Sequence, residues 1–186
     1  MHTRSRGVLR LRSSLARIWK NEDEMDLQNT VLRQLKNRRE GFSLEQPFYI
    51  DQDYFKLDME MIWYRDWLFI GHDCEIPRAG NYFTVQVGDY PVVIVRGKDQ
   101  VIRAFHNTCR HRGAPIVGDQ CGKANLLVCR YHSWCYDLEG RLIRVPEEHD
   151  FGKFDKAEHG LLPVRCEIWD GWVFLNFDPD ARPLTE

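Results

Sequence analysis

No apolar run in this 186-residue sequence approaches the roughly 20 residues that a membrane-crossing helix needs, so no helical span is expected. Internal repeats and low-complexity segments are also missing, which argues against a solenoid or a long tract of biased composition. The six cysteines do not gather into a disulfide framework, and in a chain of this size with 29% charged residues a reducing cytoplasm is the expected setting. Acidic residues are absent from the first twenty, where Arg4, Arg6, Arg10, Arg12, Arg17 and Lys20 stand among Ser5, Ser13 and Ser14. That composition has the look of an organellar transit segment, but a disordered basic extension or read-through from an upstream start codon is the favoured reading. With a formal net charge of −2 overall, the body after this stretch is acidic, and no nucleic-acid partner is expected. A hydrophobic fraction of 43% is enough for a real core.

The chain is organised around Cys109-Arg110-His111 and Cys129-Arg130-Tyr131-His132, with seventeen residues between His111 and Cys129. Each stretch pairs a soft thiolate with a borderline imidazole. A [2Fe–2S] cluster of the Rieske type uses that mixture, two thiolates on one iron and two neutral imidazoles on the other. In Cys-x-His the ligands are too close to share a regular helical face, and Cys-x-x-His suits a tight turn. Two loops lying side by side are therefore implied, each supplying one ligand to each iron. A tetrahedral zinc site accepts the same donors, although structural zinc knuckles usually pair like with like, whereas both stretches here are mixed. The plainest alternative is that the cysteines are small core hydrophobes and the histidines hydrogen-bonded surface groups.

Residues 107–115 and 129–134, with residues 39–49 and 80–85 around them, resemble the large terminal-oxygenase subunit of Rieske non-haem iron oxygenases, specifically its cluster-binding domain. The aromatic-ring-hydroxylating and glycine-betaine-demethylating type is the nearest in look. Two departures stand out: Arg130 replaces a small residue or proline, and Ser133 replaces glycine or glutamine. The resemblance implies that Cys109 and Cys129 hold a buried ferric iron and that His111 and His132 hold the outer, reducible one. Arg112, Arg130, Tyr131, Trp134 and Tyr136 would surround them, with no catalytic residue in this stretch. It further implies a ferredoxin or flavin-dependent reductase as electron donor and a homotrimer. The electron acceptor would be a mononuclear Fe(II) on a later catalytic domain, absent here, which activates dioxygen. High-potential Rieske proteins carry a disulfide and a serine near the cluster. Here those positions hold Ala114, Tyr131 and Trp134, so a potential in the lower half of the roughly −150 to +300 mV range is expected.

Taken in order, acidic Glu22, Asp23 and Glu24 open a helical pattern in which Leu27, Val31, Leu32 and Leu35 recur, and Lys36, Arg38 and Arg39 precede Gly41. A second helix is expected over residues 53–64, with Phe55, Met59, Ile62 and Trp63 on its apolar face. After Asp66 come short β runs at 67–71, 82–87, 90–96, 101–106, 125–129, 141–145, 162–168 and 172–177, separated by turns such as Gly88-Asp89 and Asp170-Gly171. The expected fold is mainly β with N-terminal helices, an antiparallel β-sandwich presenting two cluster-binding loops. The expected division is a basic extension over 1–20, a helical arm over 21–66, the [2Fe–2S] domain over 67–178, and the start of a linker over 179–186.

Cys74, Cys121, Cys135 and Cys166 are irregularly spaced and are expected to be buried thiols. His149 and His159 with Glu147 and Glu148 have the composition of a 2-His-1-carboxylate iron site, but the resemblance puts that iron on the later domain. Between Asn107 and Tyr136 the basic residues are Arg110, Arg112, Lys123 and Arg130, against the single acid Asp119, a rim suited to an acidic ferredoxin. Two other functions remain open at this point, a self-standing Rieske ferredoxin and a zinc-binding interaction module. The helical arm favours the oxygenase subunit over the simple carrier.

Overall fold

The computed structural model describes residues 22–186, with side chains from Met25 onward, so the basic opening stretch lies outside the described residues. The chain divides into two compact units, the first ending at Met59 and the second running from Glu60 to Glu186.

In the first unit, α1 (Glu22–Lys36) half-buries Leu27, Val31 and Leu35, the i, i+4, i+8 stripe that a helix places on one face, and leaves Leu32 exposed. A short turn, α2 (Pro47–Ile50), precedes α3 (Gln52–Asp58). The Asp51 carboxylate caps α3 by accepting from the backbone N–H groups of Asp53 and Tyr54 at 2.8 and 3.3 Å. Tyr54 is buried, its hydroxyl donating to Gln34 Oε1 at 2.7 Å and its ring edge-on to Phe48. The apolar face expected for a helix over 53–64 is therefore corrected. Tyr54 and Met59 are buried, whereas Phe55, Ile62 and Trp63 are about half exposed. The cause lies in the backbone: α3 stops at Asp58 and residues Met59–Trp63 widen into a π turn, so one 3.6-residue phase cannot run through the whole segment.

The second unit is antiparallel β. Its strands are β1 (Leu68–His72), β2 (Asn81–Val87), β3 (Tyr90–Arg96), β4 (Ile102–His106), β5 (Cys121–Lys123), β6 (Leu127–Val128), β7 (Cys135–Tyr136), β8 (Leu142–Arg144), β9 (Pro163–Trp169) and β10 (Trp172–Asn176). Seven form one sheet in the order β1-β10-β9-β4-β3-β2-β5, and β6-β7-β8 form a second. The run Val92-Val93-Ile94-Val95 in β3 is buried on both faces, which is why it reads as continuous rather than alternating apolar. Val93 and Val95 pack with Phe105, Leu127, Tyr136 and Leu142, between the large sheet and the small one. Val92 and Ile94 pack on the opposite face with Val173 and Leu175 of β10, because the large sheet curls over on itself. The eight expected runs all contain strands, most within two residues of the expected ends. Two strands were not foreseen: β5, which pairs with β2, and β7, which follows the second ligand loop.

Gly80 sits where β2, β3 and the approach to β6 meet. Its N–H donates to Arg96 O at 2.8 Å and its carbonyl accepts from Ala124 N–H at 2.9 Å. Its φ of +83° is left-handed, and a Cβ there would collide with the carbonyl oxygen of Ala124. Gly80→Ala should therefore cost about 3 kcal/mol, summing backbone strain and overpacking against main chain. Gly118→Ala, with open space around the added methyl, should stay within about 0.5 kcal/mol of the parent. Paired denaturant titrations check this, and equal losses in the two variants would contradict it.

Candidate metal centre

The sequence builds the same turn twice. In the first, Cys109 N–H donates to Ala114 O at 2.8 Å and Gly113 N–H donates to Cys109 O at 2.9 Å. In the second, Cys129 N–H donates to Trp134 O and Ser133 N–H donates to Cys129 O, both at 2.9 Å. The fourth residue after each cysteine is left-handed, Gly113 at φ +73° and Ser133 at φ +56°. Glycine adopts that conformation at no steric cost, whereas serine pays about 1 kcal/mol, so the departure at Ser133 changes the strain and not the path of the turn. The first turn hangs from the end of β4 and the second joins β6 to β7. Asn107, 5% exposed, pins the first: its Oδ1 accepts from Ile116 and Val117 N–H at 3.1 and 3.0 Å, and its Nδ2 donates to Val117 O at 2.8 Å. Sequence reasoning did not single out Asn107. The available signal was an amide side chain at the mouth of a loop, a common bond-maker to backbone.

The four candidate ligands separate into two pairs. Cys109 and Cys129 are 3% and 1% exposed within the core between the sheets. His111 and His132 lie outward of them, half-exposed, with ring centroids 4.5 Å apart. Burial pushes the Cys109 thiol above its ordinary pKa, and the adjoining Cys129 adds to the rise while the Tyr136 hydroxyl opposes it. Burial also holds the His111 imidazole below its ordinary value, helped by His132 and Arg112, so it is neutral at pH 7, the form a ligand requires.

Tyr136 is fully buried and its phenol is pushed up, first by burial and then by Cys109, so it stays protonated. Its oxygen accepts the Arg110 backbone N–H at 3.1 Å, which leaves its own proton for Cys109 Sγ at 3.3 Å. His111 Nδ1 is a buried side-chain nitrogen with no hydrogen-bond partner among the described residues, the state expected of a donor atom reserved for a metal. No three Cys, His, Asp or Glu side chains among the described residues converge tightly enough to share one ion. Two buried sulfurs and two outward imidazoles match in kind the donor set of a Rieske-type [2Fe–2S] cluster.

Trp134 is buried and lies flat against His111, with centroids 4.9 Å apart and planes 6° from parallel. Tyr131 is 61% exposed beside His132, its ring 3.8 Å away. On the rim Arg110, Arg112 and Lys123 are exposed, while Arg130 pairs with Asp119 at 3.1 Å, so the one acid of this stretch offsets one of its four cations. The set His149, His159, Glu147 and Glu148 does not assemble. His149 faces Asp150, the His159 ring bonds Asp155 O at 2.8 Å, and Glu148 pairs with Lys156 at 2.8 Å. The expectation of four buried spare thiols is corrected for two: Cys135 is buried and Cys166 half-buried, but Cys74 and Cys121 are exposed. Cys74 lies in the single 3-10 turn after edge strand β1, and Cys121 on the outermost strand, β5, where all three residues face solvent.

A fold of curled antiparallel sheet with two such turns defines an iron–sulfur domain. The Rieske [2Fe-2S] domain family matches residues 66–158, half of the chain, and the chain belongs to that family. The glycine betaine monooxygenase oxygenase subunit of Pseudomonas aeruginosa is 44% identical over 152 residues, covering 82% of this chain and 35% of that protein. The benzene 1,2-dioxygenase subunit alpha of Pseudomonas putida is 42% identical over 142 residues, covering 76% and 32%. Among solved structures, a quaternary ammonium Rieske monooxygenase in complex with L-carnitine matches at 34% identity and a TM-score of 0.71, covering 75% of this chain and 40% of that one. The chain thus spans about a third of the length of the curated relatives it matches.

The thiol environments give a direct check. Burial, with Glu167 beside it, pushes Cys166 up to about 12. At pH 9 only about one molecule in a thousand would carry its thiolate, the reactive form. Maleimide labelling of the folded protein, read by peptide mass spectrometry, should modify Cys74 and Cys121 rapidly and leave Cys166 unmodified even at pH 9. Rapid modification of Cys166 in the folded state would contradict the burial described.

Proposed function

We propose that Cys109, His111, Cys129 and His132 hold a Rieske [2Fe–2S] cluster and that this chain is the electron-transferring part of a terminal oxygenase subunit. The observation that carries the reading is the division of donors, two buried sulfurs inside and two half-exposed imidazoles outside, on two turns of one design. When bound, the cluster stores one electron from a ferredoxin or flavin-dependent reductase and delivers it toward a mononuclear non-haem Fe(II) that activates dioxygen for ring hydroxylation or oxidative demethylation.

The residues of this chain do the rest. The core between the sheets keeps water from the thiolates, Tyr136 donates to one of them, and Arg112 sits near His111 and disfavours its protonation. The outward imidazoles are the part of the site a partner can approach, with exposed Arg110 and Arg112 placed to attract an acidic one. Residues 21–66 act as an arm that joins subunits into a homotrimer. Supporting this, Met25, Leu32, Phe42, Tyr49, Ile50 and Phe55 of the first unit are all more than half exposed, an unusual amount of apolar surface to leave in water. Residues 67–178 form the cluster domain and 179–186 begin the link to a catalytic domain. Relatives named for glycine betaine and for benzene match at nearly the same identity, 44% and 42%, so this part of the subunit serves electron delivery and not substrate choice. No helix among the described residues is long and apolar enough to cross a membrane, and a cytoplasmic setting completes the proposal.

Purified protein expressed with ample iron should contain two irons and two acid-labile sulfides per chain. His111→Cys or His132→Cys should keep some cluster but move its visible and EPR spectra away from the Rieske type. One tightly bound zinc per chain in place of iron would reject the reading. A second expectation follows from Tyr136. Its O–H bond to Cys109 sulfur strengthens as the site gains an electron, so it favours the reduced state. Tyr136→Phe removes about 1 kcal/mol of that preference and should lower the potential by roughly 40 mV. An unchanged or raised potential in protein-film voltammetry would show that the phenol does not donate to the sulfur.

A further inference from the structure

Two side chains from the strand that leaves the second turn reach across to the first. Tyr136 meets Cys109 and Arg110, and Trp134 lies on His111. Nothing reaches back from the equivalent place: the residue five after Cys109 is Ala114, whose methyl cannot span the distance, whereas the residue five after Cys129 is Trp134 itself. His132 is flanked by Tyr131, its own chain neighbour, which is exposed and has no comparable packing to hold it. The two imidazoles are therefore dressed differently, one by a rigid wall and one by a surface ring.

Trp134 is 3% exposed and is held from several sides. Phe151, Phe154 and His159 stand edge-on to it at 6.1, 5.6 and 6.1 Å, all from the segment that contains the 3-10 turns Glu148–Phe151 and Lys156–His159. Its carbonyl closes the second turn by accepting Cys129 N–H. The closed turn fixes the backbone of Trp134, and the indole cannot swing away without displacing the rings packed against it.

We propose that Trp134 is a positioning residue for His111: the flat indole fixes the imidazole plane, keeps Nδ1 on the buried side of the site, and shuts water off from one face of the ring. The torsion that turns a histidine ring has a broad, weakly defined minimum, so a lone nitrogen–metal bond leaves the ring plane free to rock. A parallel aromatic surface removes that freedom, and the effect is confined to the first turn because only His111 has it. Support of this kind commonly alters metal retention 10- to 100-fold. The inference rests on the Rieske reading of the site.

The test uses the cluster-loaded protein and the variants Trp134→Leu, Trp134→Phe and Phe154→Leu. Phe154 meets Trp134 edge-on and is not among the rings against His111, so its variant reports the effect of a softened core alone. Trp134→Met serves as a second flexible filler should the leucine variant fail to fold. Three quantities are read: melting temperature, the rate of iron transfer to a ferrous chelator, and the histidine-nitrogen hyperfine couplings of the reduced cluster. Trp134→Leu should release iron roughly 10-fold faster and broaden one of the two nitrogen couplings. Trp134→Phe, which keeps a flat ring, should recover most of both losses, and Phe154→Leu should lower the melting temperature while leaving both near the parent. The proposal is overturned if the flexible fillers match the parent in iron release and couplings, if Trp134→Phe recovers neither loss, or if Phe154→Leu reproduces them. A parent protein lacking the two-iron spectrum would instead overturn the Rieske reading itself, and this inference with it.

Discussion

Each cysteine turn is closed by a hydrogen bond from the cysteine's own N–H to a carbonyl five residues on, and the rest of the site depends on that closure. It fixes the cysteine facing inward and leaves the histidine, two or three residues later, facing outward. Because Cys109, Cys129, Trp134 and Tyr136 belong to the same packed cluster as Val93, Val95 and Phe105, the site is not attached to the core but is part of it. A substitution that loosens these turns therefore also loosens the fold, and iron held there would contribute directly to folding free energy.

Burial sets the electrostatics. Cys109, with almost no solvent contact, resists becoming a thiolate unless positive charge replaces the lost water, which bound ferric iron would supply. The surrounding polar groups are arranged for this. Tyr136 is kept protonated and donates, His111 is kept neutral and ready to coordinate, and the nearby cations lie on the exposed rim where salt screens them. With the proposed ligand set of two thiolates and two imidazoles, an oxidised [2Fe–2S] cluster would be formally neutral, and a single added electron would create its one uncompensated charge. One phenol and no serine hydroxyl reach toward it, because the serine position is filled by Trp134, whose ring is committed to His111.

The candidate ligands stand out in the sequence by spacing alone, since the order Cys-x-His and Cys-x-x-His with mixed donors has few other uses. The strands were legible where apolar alternation or a continuous run such as 92–95 persists over several residues. Strands β5 and β7 were not, because two or three residues carry no periodicity; β5 is set by its pairing with β2 and β7 by its pairing with β6 and β8. The apolar face of the second helix, though not its span, was misread for a related reason, as a π turn at Met59–Trp63 breaks the phase that a 3.6-residue repeat assumes. Exposure of Cys74 and Cys121 follows from their place on sheet edges, which composition does not reveal. The stacking of Trp134 on His111 joins residues from different turns, and no local pattern encodes which partner a buried indole will find.

The central claim is that one imidazole from each turn coordinates the same reducible iron. Electron–nuclear double resonance on the reduced protein, prepared with ¹⁵N-labelled histidine, tests it most directly. Two distinct coordinated nitrogens should be coupled to the unpaired electron, one disappearing in His111→Cys and the other in His132→Cys. A spectrum with no strongly coupled nitrogen, or with a single one that survives both substitutions, would contradict the account.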